Sequence, residues 1–456
     1  MFAAINSFLT GALAKVTDVY WPFVSMLLHG DGTNAAQNNT FLDGSTNNFT
    51  VTRNGNTTQG SFNPFVSTYP YSVATNGGSA YFDGTGDYLS VAALTSVAFG
   101  SNDFTVECWA NTGQNAYQLL YDSRPSATAG AYVALYVYGG LNFVLNVNGS
   151  AQITSSTISL NTWYHVAISR VSGTTRMFVN GVSAGSFADS TVYLNGLGAP
   201  TIGANGLGSQ PFFGYISNLR VVNGTGLYTT TFTPPTAPLT AVTNTALLLG
   251  MSNGAIYDNT MLNNLETVAS AQISTSVFKY GTGALKFNGT TDYLPTPAKT
   301  ALALGAGDFT IECWLYPTVT GLMRFMGQTD PGVSSYPIQL RTSATNTIVA
   351  QAVTSGGVYT ATSTLIATAN AWTHVAFVRD GTTIRIYIGG VQSGTNATIG
   401  TLALVSSTNA FSVGAFGEYA SDFWSGYIDD VRITKGICRY PSGTTFTPPT
   451  AAFPNS

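Results

Sequence analysis

The sequence predicts an all-β protein, two tandem β-sandwiches behind a short N-terminal helix, on three observations. The first is composition. Charged side chains are 8% of the 456 residues, against about 25% in an average soluble domain. Only four are Glu: Glu107, Glu266, Glu312 and Glu418. Coiled coils and long surface helices need Glu, Lys and Leu in abundance. Here the polar surface has to be built from Thr, Ser, Asn and Gly, which favour strands and turns.

The second observation is duplication. Tyr81-Phe-Asp-Gly-Thr-Gly-Asp-Tyr-Leu89 returns as Lys286-Phe-Asn-Gly-Thr-Thr-Asp-Tyr-Leu294, 205 residues on. Asp103-Phe-Thr-Val-Glu-Cys-Trp109 returns as Asp308-Phe-Thr-Ile-Glu-Cys-Trp314, also at 205. Asn161-Thr-Trp-Tyr-His-Val-Ala167 returns as Asn370-Ala-Trp-Thr-His-Val-Ala376 at 209, Gly214-Tyr-Ile216 as Gly426-Tyr-Ile428 at 212, and Phe232-Thr-Pro-Pro-Thr236 as Phe446-Thr-Pro-Pro-Thr450 at 214. The offset grows in small steps, so loop insertions separate two colinear copies. Solenoid repeats run about 20–50 residues; each copy here is a whole domain. The third observation is strand after strand with turn chemistry between. Tyr164, Val166 and Ile168 alternate with Trp163, His165 and Ala167, and both faces are substantially apolar, as on an inner strand of a sandwich. Thr175–Val179 runs through Asn180-Gly181 into Val182, and Ile384–Ile388 through Gly389-Gly390 into Val391. Asn-Gly and Gly-Gly accept the positive φ of a two-residue hairpin.

In chain order the elements are these. Residues 1–17 place Phe2, Ile5, Leu9, Leu13 and Val16 at intervals of three and four, one face of a helix. They lack the basic start of a signal peptide. A lone helix of this length needs a partner for its apolar face, either its own domain or an attachment and oligomerisation surface. The first sandwich spans 18–238 and ends at the Pro-rich stretch Pro234–Pro238. A linker covers 239–244. The second sandwich spans 245–456, with Ala246-Leu-Leu-Leu249 echoing Met26-Leu-Leu28.

Several partner classes are excluded. The 16 Lys and Arg are scattered, without the basic patch of a nucleic-acid binder. No run of 18 apolar residues offers a membrane span. Three cysteines, Cys108, Cys313 and Cys438, are no disulfide framework.

The repeated motifs resemble the laminin-G-like branch of the concanavalin A-like lectin/glucanase superfamily over nearly the whole chain. They are Phe-Asp-Gly-x-x-Asp-Tyr-Leu, Asp-Phe-Thr-x-Glu-Cys-Trp, Trp-x-His-Val-Ala, the Asn-Gly hairpin and Gly-Tyr-Ile. The resemblance implies that each copy is a concanavalin A-like jelly roll. The opening Val24–Gly32 and the Phe-Thr-Pro-Pro motifs resemble laminin-G-like domains of bacteriophage virion proteins. What that implies is a non-enzymatic fibre, spike or decoration protein on the virion surface. It would be attached to capsid or tail proteins through its N-terminal segment, trimeric, and bound to a host or environmental glycan. A depolymerase of the same fold and a purely architectural subunit are the alternatives.

The chemistry fits binding better than catalysis. Glycosidases flank the scissile bond with two carboxylates roughly 5–9.5 Å apart, and Glu107 and Glu312 each stand alone in sequence. His165 and His374 occupy matching positions on Trp-bearing strands, as satisfied core residues do. Calcium takes about six to eight oxygens. The candidate ligands are Asp83 and Asp87 in the first copy, and Asn288, Asp292, Asp429 and Asp430 in the second, with Asx turns as the alternative reading. The segments Gln114–Gly130 and Thr318–Tyr336 differ between the copies and are rich in Tyr, Ser, Gly and Asn, which suit adaptable polar contacts. Tyr117, Tyr121 and Tyr336 are therefore the candidate glycan-binding residues.

Overall fold

The computed structural model describes residues 17–65, 69–91, 95–124, 131–194, 199–297, 302–328, 336–407, 409–416 and 421–455. The N-terminal helix expected over 1–17 falls almost wholly outside them. Among the described residues the architecture is all-β apart from short turns such as Val73–Asn76. Each repeat is a two-layer antiparallel sandwich. In the first, a large sheet is centred on Phe104–Thr112, flanked by Tyr164–Val171 and Phe213–Asn223. In the second, Phe309–Pro317 lies between Thr373–Asp380 and Ser425–Lys435. A smaller sheet packs on each. It runs through Gln118–Asp122, Val133–Tyr138 and Asn142–Val147 in the first repeat, and through Arg324–Gln328, Ile338–Thr342 and Thr347–Thr354 in the second.

The period-2 alternation of strands divides the central residues cleanly. Phe104, Val106, Cys108 and Ala110 join Val166 and Ile168 in the core between the sheets. Glu107 and Trp109 therefore point to the outer face. The cysteines behave as small hydrophobes: burial pushes the Cys108 thiol up to about 12, helped by the neighbouring Glu107 charge, so it stays a neutral thiol.

The repeats exchange strands. Thr245–Leu249, the first strand of the second repeat in sequence, pairs with Phe213–Asn223 of the first. Val24–Leu28, the first strand of the chain, pairs with Ser425–Lys435 of the second. Leu247 and Leu249 enter the core of the first sandwich, and Met26 and Leu28 that of the second. The chain-order segments 18–238 and 245–456 thus each carry a strand that sits in the other sandwich. The exchange is held by matching bonds. Asp43 Oδ1 accepts the Leu248 N–H at 2.9 Å, and Asp258 Oδ1 accepts the Leu27 N–H at 2.9 Å. Asn47 Nδ2 donates to Ala246 O at 2.8 Å, and Asn263 Nδ2 to Ser25 O at 3.0 Å. Each fully buried Leu or Met contributes about 1.5–3 kcal/mol, so each sandwich leans heavily on a strand it does not own.

Candidate functional site

On the outer face of each large sheet lies the same four-residue cluster. Glu107 Oε1 accepts from Arg220 Nε at 2.9 Å and Nη2 at 2.6 Å, while Oε2 accepts from the Tyr228 hydroxyl at 2.8 Å and stands 3.1 Å from His165 Nε2. In the second repeat Glu312 Oε1 accepts from Arg432 Nε at 3.0 Å and Nη2 at 2.8 Å, and Oε2 accepts from Tyr440 at 2.7 Å. His374 Nε2 stands 3.3 Å from Oε2. Both glutamates are 0% exposed. Burial raises the Glu107 carboxyl, but the His165 hydrogen bond and the Arg220 charge outweigh it and hold it below the ordinary value. For Glu312, burial is likewise outweighed by Arg432 and His374. A buried carboxylate is tolerable only when paired in this way.

The Phe-Thr-Pro-Pro segments seal these clusters. Tyr228 stacks on Phe232 at 3.8 Å and Tyr440 on Phe446 at 3.7 Å. The Phe232 N–H donates to Gly181 O, and the Phe446 N–H to Gly390 O, each at 3.0 Å. The hairpin glycines are thereby explained twice. Gly181 and Gly390 have positive φ, and a Cβ on either would strike the carbonyl of the covering phenylalanine. Glu107 and Glu312 are thus committed to a sealed cluster. The sequence signals for His and Glu were present in both copies; Tyr228 and Tyr440 carried none, because the motif around them reads as a domain end.

The six proposed calcium ligands fall into three separate pairs, Asp83 with Asp87, Asn288 with Asp292, and Asp429 with Asp430. Asp83 Oδ1 accepts the Thr85 N–H at 2.6 Å and Asp87 Oδ2 the Asp83 N–H at 3.0 Å. Asn288 Oδ1 accepts the Thr290 and Thr291 N–H groups, and Asp292 Oδ2 the Asn288 N–H. Asp83 and Asn288 make Asx turns, which Asp87 and Asp292 close from four residues on. Asp429 accepts backbone N–H bonds from Lys279, Tyr280 and Asp430; burial and then the Asp430 charge push it up to about 7. Asp430 Oδ1 stands 2.5 Å from His29 Nδ1 and Oδ2 accepts the Phe453 N–H. Among the described residues no three His, Cys, Asp or Glu side chains converge as a metal centre.

The three tyrosines part company. Tyr121 is a correction: it is fully buried between the sheets of the first repeat, because a bulge at Leu119/Tyr121 turns it inward. Tyr336 is half-buried, donates to Gln351 Oε1 at 2.8 Å and meets Phe416 edge-on at 4.9 Å. Tyr117 is 45% exposed and belongs to a platform on the outer face of the smaller sheet. It meets Tyr136 at 4.8 Å and Tyr138 at 5.7 Å, both edge-to-face, and Tyr138 is 55% exposed. Tyr136 and Tyr138 come from the alternation of Val133–Tyr138, whose other face, Val133, Leu135 and Val137, fills the core. Tyr132, stacked under Arg124 at 4.3 Å, extends the row.

Comparison with known proteins follows the duplication. The family described as "Concanavalin A-like lectin/glucanases superfamily" matches residues 83–227 and 288–437. Among solved structures, domains LG4-5 of the mouse laminin α1 chain are 16% identical, over 82% of this chain and 93% of that one, with a TM-score of 0.30. Domain 4 of AbnA, an extracellular arabinanase from Geobacillus stearothermophilus, in complex with arabinotriose, is 20% identical over 39% of this chain and 86% of that one, with a TM-score of 0.32. A heptameric SAP-like pentraxin from Limulus polyphemus is 18% identical over 35% and 80%, with a TM-score of 0.29. No curated protein matches the chain significantly.

The sealed cluster makes a pH-dependent prediction. Breaking a buried ion pair costs about 3–5 kcal/mol, so Glu312→Gln is expected to lose about that much in urea unfolding at pH 7. A depressed carboxyl contributes stability that is present above its ordinary value, 4.5, and lost as pH falls through the folded value. The gap between the parent and Glu312→Gln is therefore expected to narrow as pH is lowered from about 5 toward 2. A gap independent of pH would refute the ionised cluster.

Proposed function

The chain belongs to the concanavalin A-like lectin/glucanases superfamily through both repeats, and from that premise we propose that it is a non-enzymatic adhesion protein that binds glycans. The observation that carries this reading is the edge-to-face platform in which exposed Tyr117 and Tyr138 flank the buried ring of Tyr136. A sugar ring presents a C–H face that packs on aromatic rings, and its hydroxyls take hydrogen bonds from polar neighbours. Tyr offers that area at low conformational-entropy cost. The platform is made by the smaller sheet, so its rings are set by backbone pairing rather than by a loop. The burial of Glu107 and Glu312 supports binding over glycosidic cleavage through those two carboxylates. The polar face around Tyr336, Gln351 and Phe416 would be a second, weaker contact. Two linked modules gain avidity through effective concentration.

We place the protein on a virion exterior, on the resemblance of its opening and closing motifs, as a trimer attached to capsid or tail proteins through residues 1–17. Its mechanics suit that role. The N-terminal segment leads directly into Asp18 and Val24–Leu28, which are locked into the second sandwich, so a pull on the N-terminus loads a sheet.

On a glycan array, the double variant Tyr117→Ala, Tyr138→Ala is expected to lose the signal of the full chain with unchanged melting temperature; retained binding would reject the platform. Light scattering is expected to give the chain lacking residues 1–17 one third of the full-chain mass. An unchanged mass would remove that segment from assembly.

A further inference from the structure

Where the two repeats meet there is a cavity of about 380 Å³ with walls from both. The first repeat supplies Asn56, Tyr81, Asp83 and Phe213, and the segment from 266 onward supplies Glu266 and Tyr293. Thr296 and Pro295 also line it.

The charge is one-sided. One end of the Asn56 amide stands 3.3 Å from Glu266 Oε2, and the other end 2.9 Å from Asp87 Oδ1 and 3.2 Å from Asp83 Oδ2. Three carboxylates from the two sides thus crowd one amide. The guanidinium in reach is Arg53, with Nη2 3.6 Å from Glu266 Oε1. Burial, with the neighbouring carboxylates adding to it, pushes Asp87 up to about 6 and raises Glu266.

The second copy shows which of these residues folding needs. Where the first has Tyr81, Asp83 and Phe213, the second has Lys286, Asn288 and Ser425. The Asx turn survives the change, since Asn288 Oδ1 accepts the Thr290 N–H as Asp83 Oδ1 accepts the Thr85 N–H. The glutamate clusters are duplicated; of the cavity's residues, Tyr81, Asp83 and Phe213 are not, while Tyr293 has its counterpart in Tyr88.

We propose that this inter-repeat cavity is a second glycan site, for a sugar that carries an amine and no acid. Its ring packs against Tyr81, Phe213 and Tyr293, and its ammonium and hydroxyl groups donate to Asp83 and Glu266. This goes beyond the tyrosine platform and does not depend on it.

The test is calorimetric titration of the full chain with three probes: a glucosamine tetramer, its N-acetylated counterpart and tetragalacturonate. The glucosamine tetramer is expected to bind most tightly and tetragalacturonate not at all. Asp83→Asn, which installs the second copy's residue, is expected to weaken the glucosamine tetramer about tenfold, the scale of a lost charge-assisted bond, with unchanged melting temperature; Phe213→Ser, likewise the second copy's residue, is expected to weaken it about tenfold through lost apolar contact. Tyr117→Ala with Tyr138→Ala is expected to leave it unchanged. Absence of binding, equal binding of tetragalacturonate, loss on addition of a chelator, or sensitivity to the platform variant but not to Asp83→Asn would each overturn the site.

Discussion

The strand Ser425–Lys435 has two partners along one edge: Ala284–Asn288 beside its first half and Val24–Leu28 beside its second. One comes from its own repeat and the other from the far end of the chain. Phe213–Asn223 is completed in the same way by Ser79–Asp83 and Thr245–Leu249. An unpaired half-edge in the middle of a large sheet would expose backbone donors and acceptors and open the core. Neither sandwich can close without the other repeat's strand, so the two form one interlocked unit even though the sequence is modular.

The buried glutamate clusters are tied to this exchange. Arg220 holds Glu107 through one side of its fork and donates from Nη1 to Thr240 O, on the segment leading into Thr245–Leu249. Arg432 holds Glu312 and donates from Nη1 to Asp18, on the segment leading into Val24–Leu28. In both repeats one guanidinium joins the centre of the large sheet to the incoming strand. Arg suits this, because its donors are fixed in a plane and it keeps its charge when buried. The second repeat adds more. Arg439 also binds Asp18, and His29 meets Asp430 where the first repeat has Gly250 and Asn218. The strand that must travel from the chain's start is thus held by additional ion pairs, while the one that follows directly in sequence is held by Asp43, Asn47 and the bond from Arg220 to a backbone carbonyl.

Much of the fold was legible in the sequence. The duplication, the alternation around Val166 and the hairpins at Gly181 and Gly390 all translate directly into sheets. The exchange was not legible, and the reason is physical. Met26-Leu-Leu28 and Leu247-Leu-Leu249 have the same pattern and fit either slot, so periodicity identifies the strand and leaves its acceptor undetermined. The glutamates and histidines could be flagged because they recur. Their partners Tyr228 and Tyr440 could not, since a tyrosine in a Pro-rich tail looks like the end of a domain. Tyr117 was found in a variable loop, but Tyr136 and Tyr138 beside it belong to a strand, and their place on the outer face follows from which face the core takes. Tyr121 failed because a bulge shifts parity by one residue, which sends a side chain to the opposite face. The inter-repeat cavity lies beyond any reading of one copy at a time.

The functional surfaces follow from that division. Residues that both copies keep build and seal the sandwiches, and the surfaces that one copy alone carries are free to recognise a ligand. The exchange itself is open to direct measurement by paired cysteines. Opposed residues in an antiparallel pair have Cα atoms about 4.5–5.5 Å apart, within disulfide reach. Leu28 faces Val431, while its counterpart Leu249 faces Leu219. Under mild oxidation, Leu28→Cys with Val431→Cys is predicted to form an intrachain disulfide, and Leu28→Cys with Leu219→Cys none. The reverse outcome would mean that each repeat keeps its own first strand and would contradict the interlocked fold.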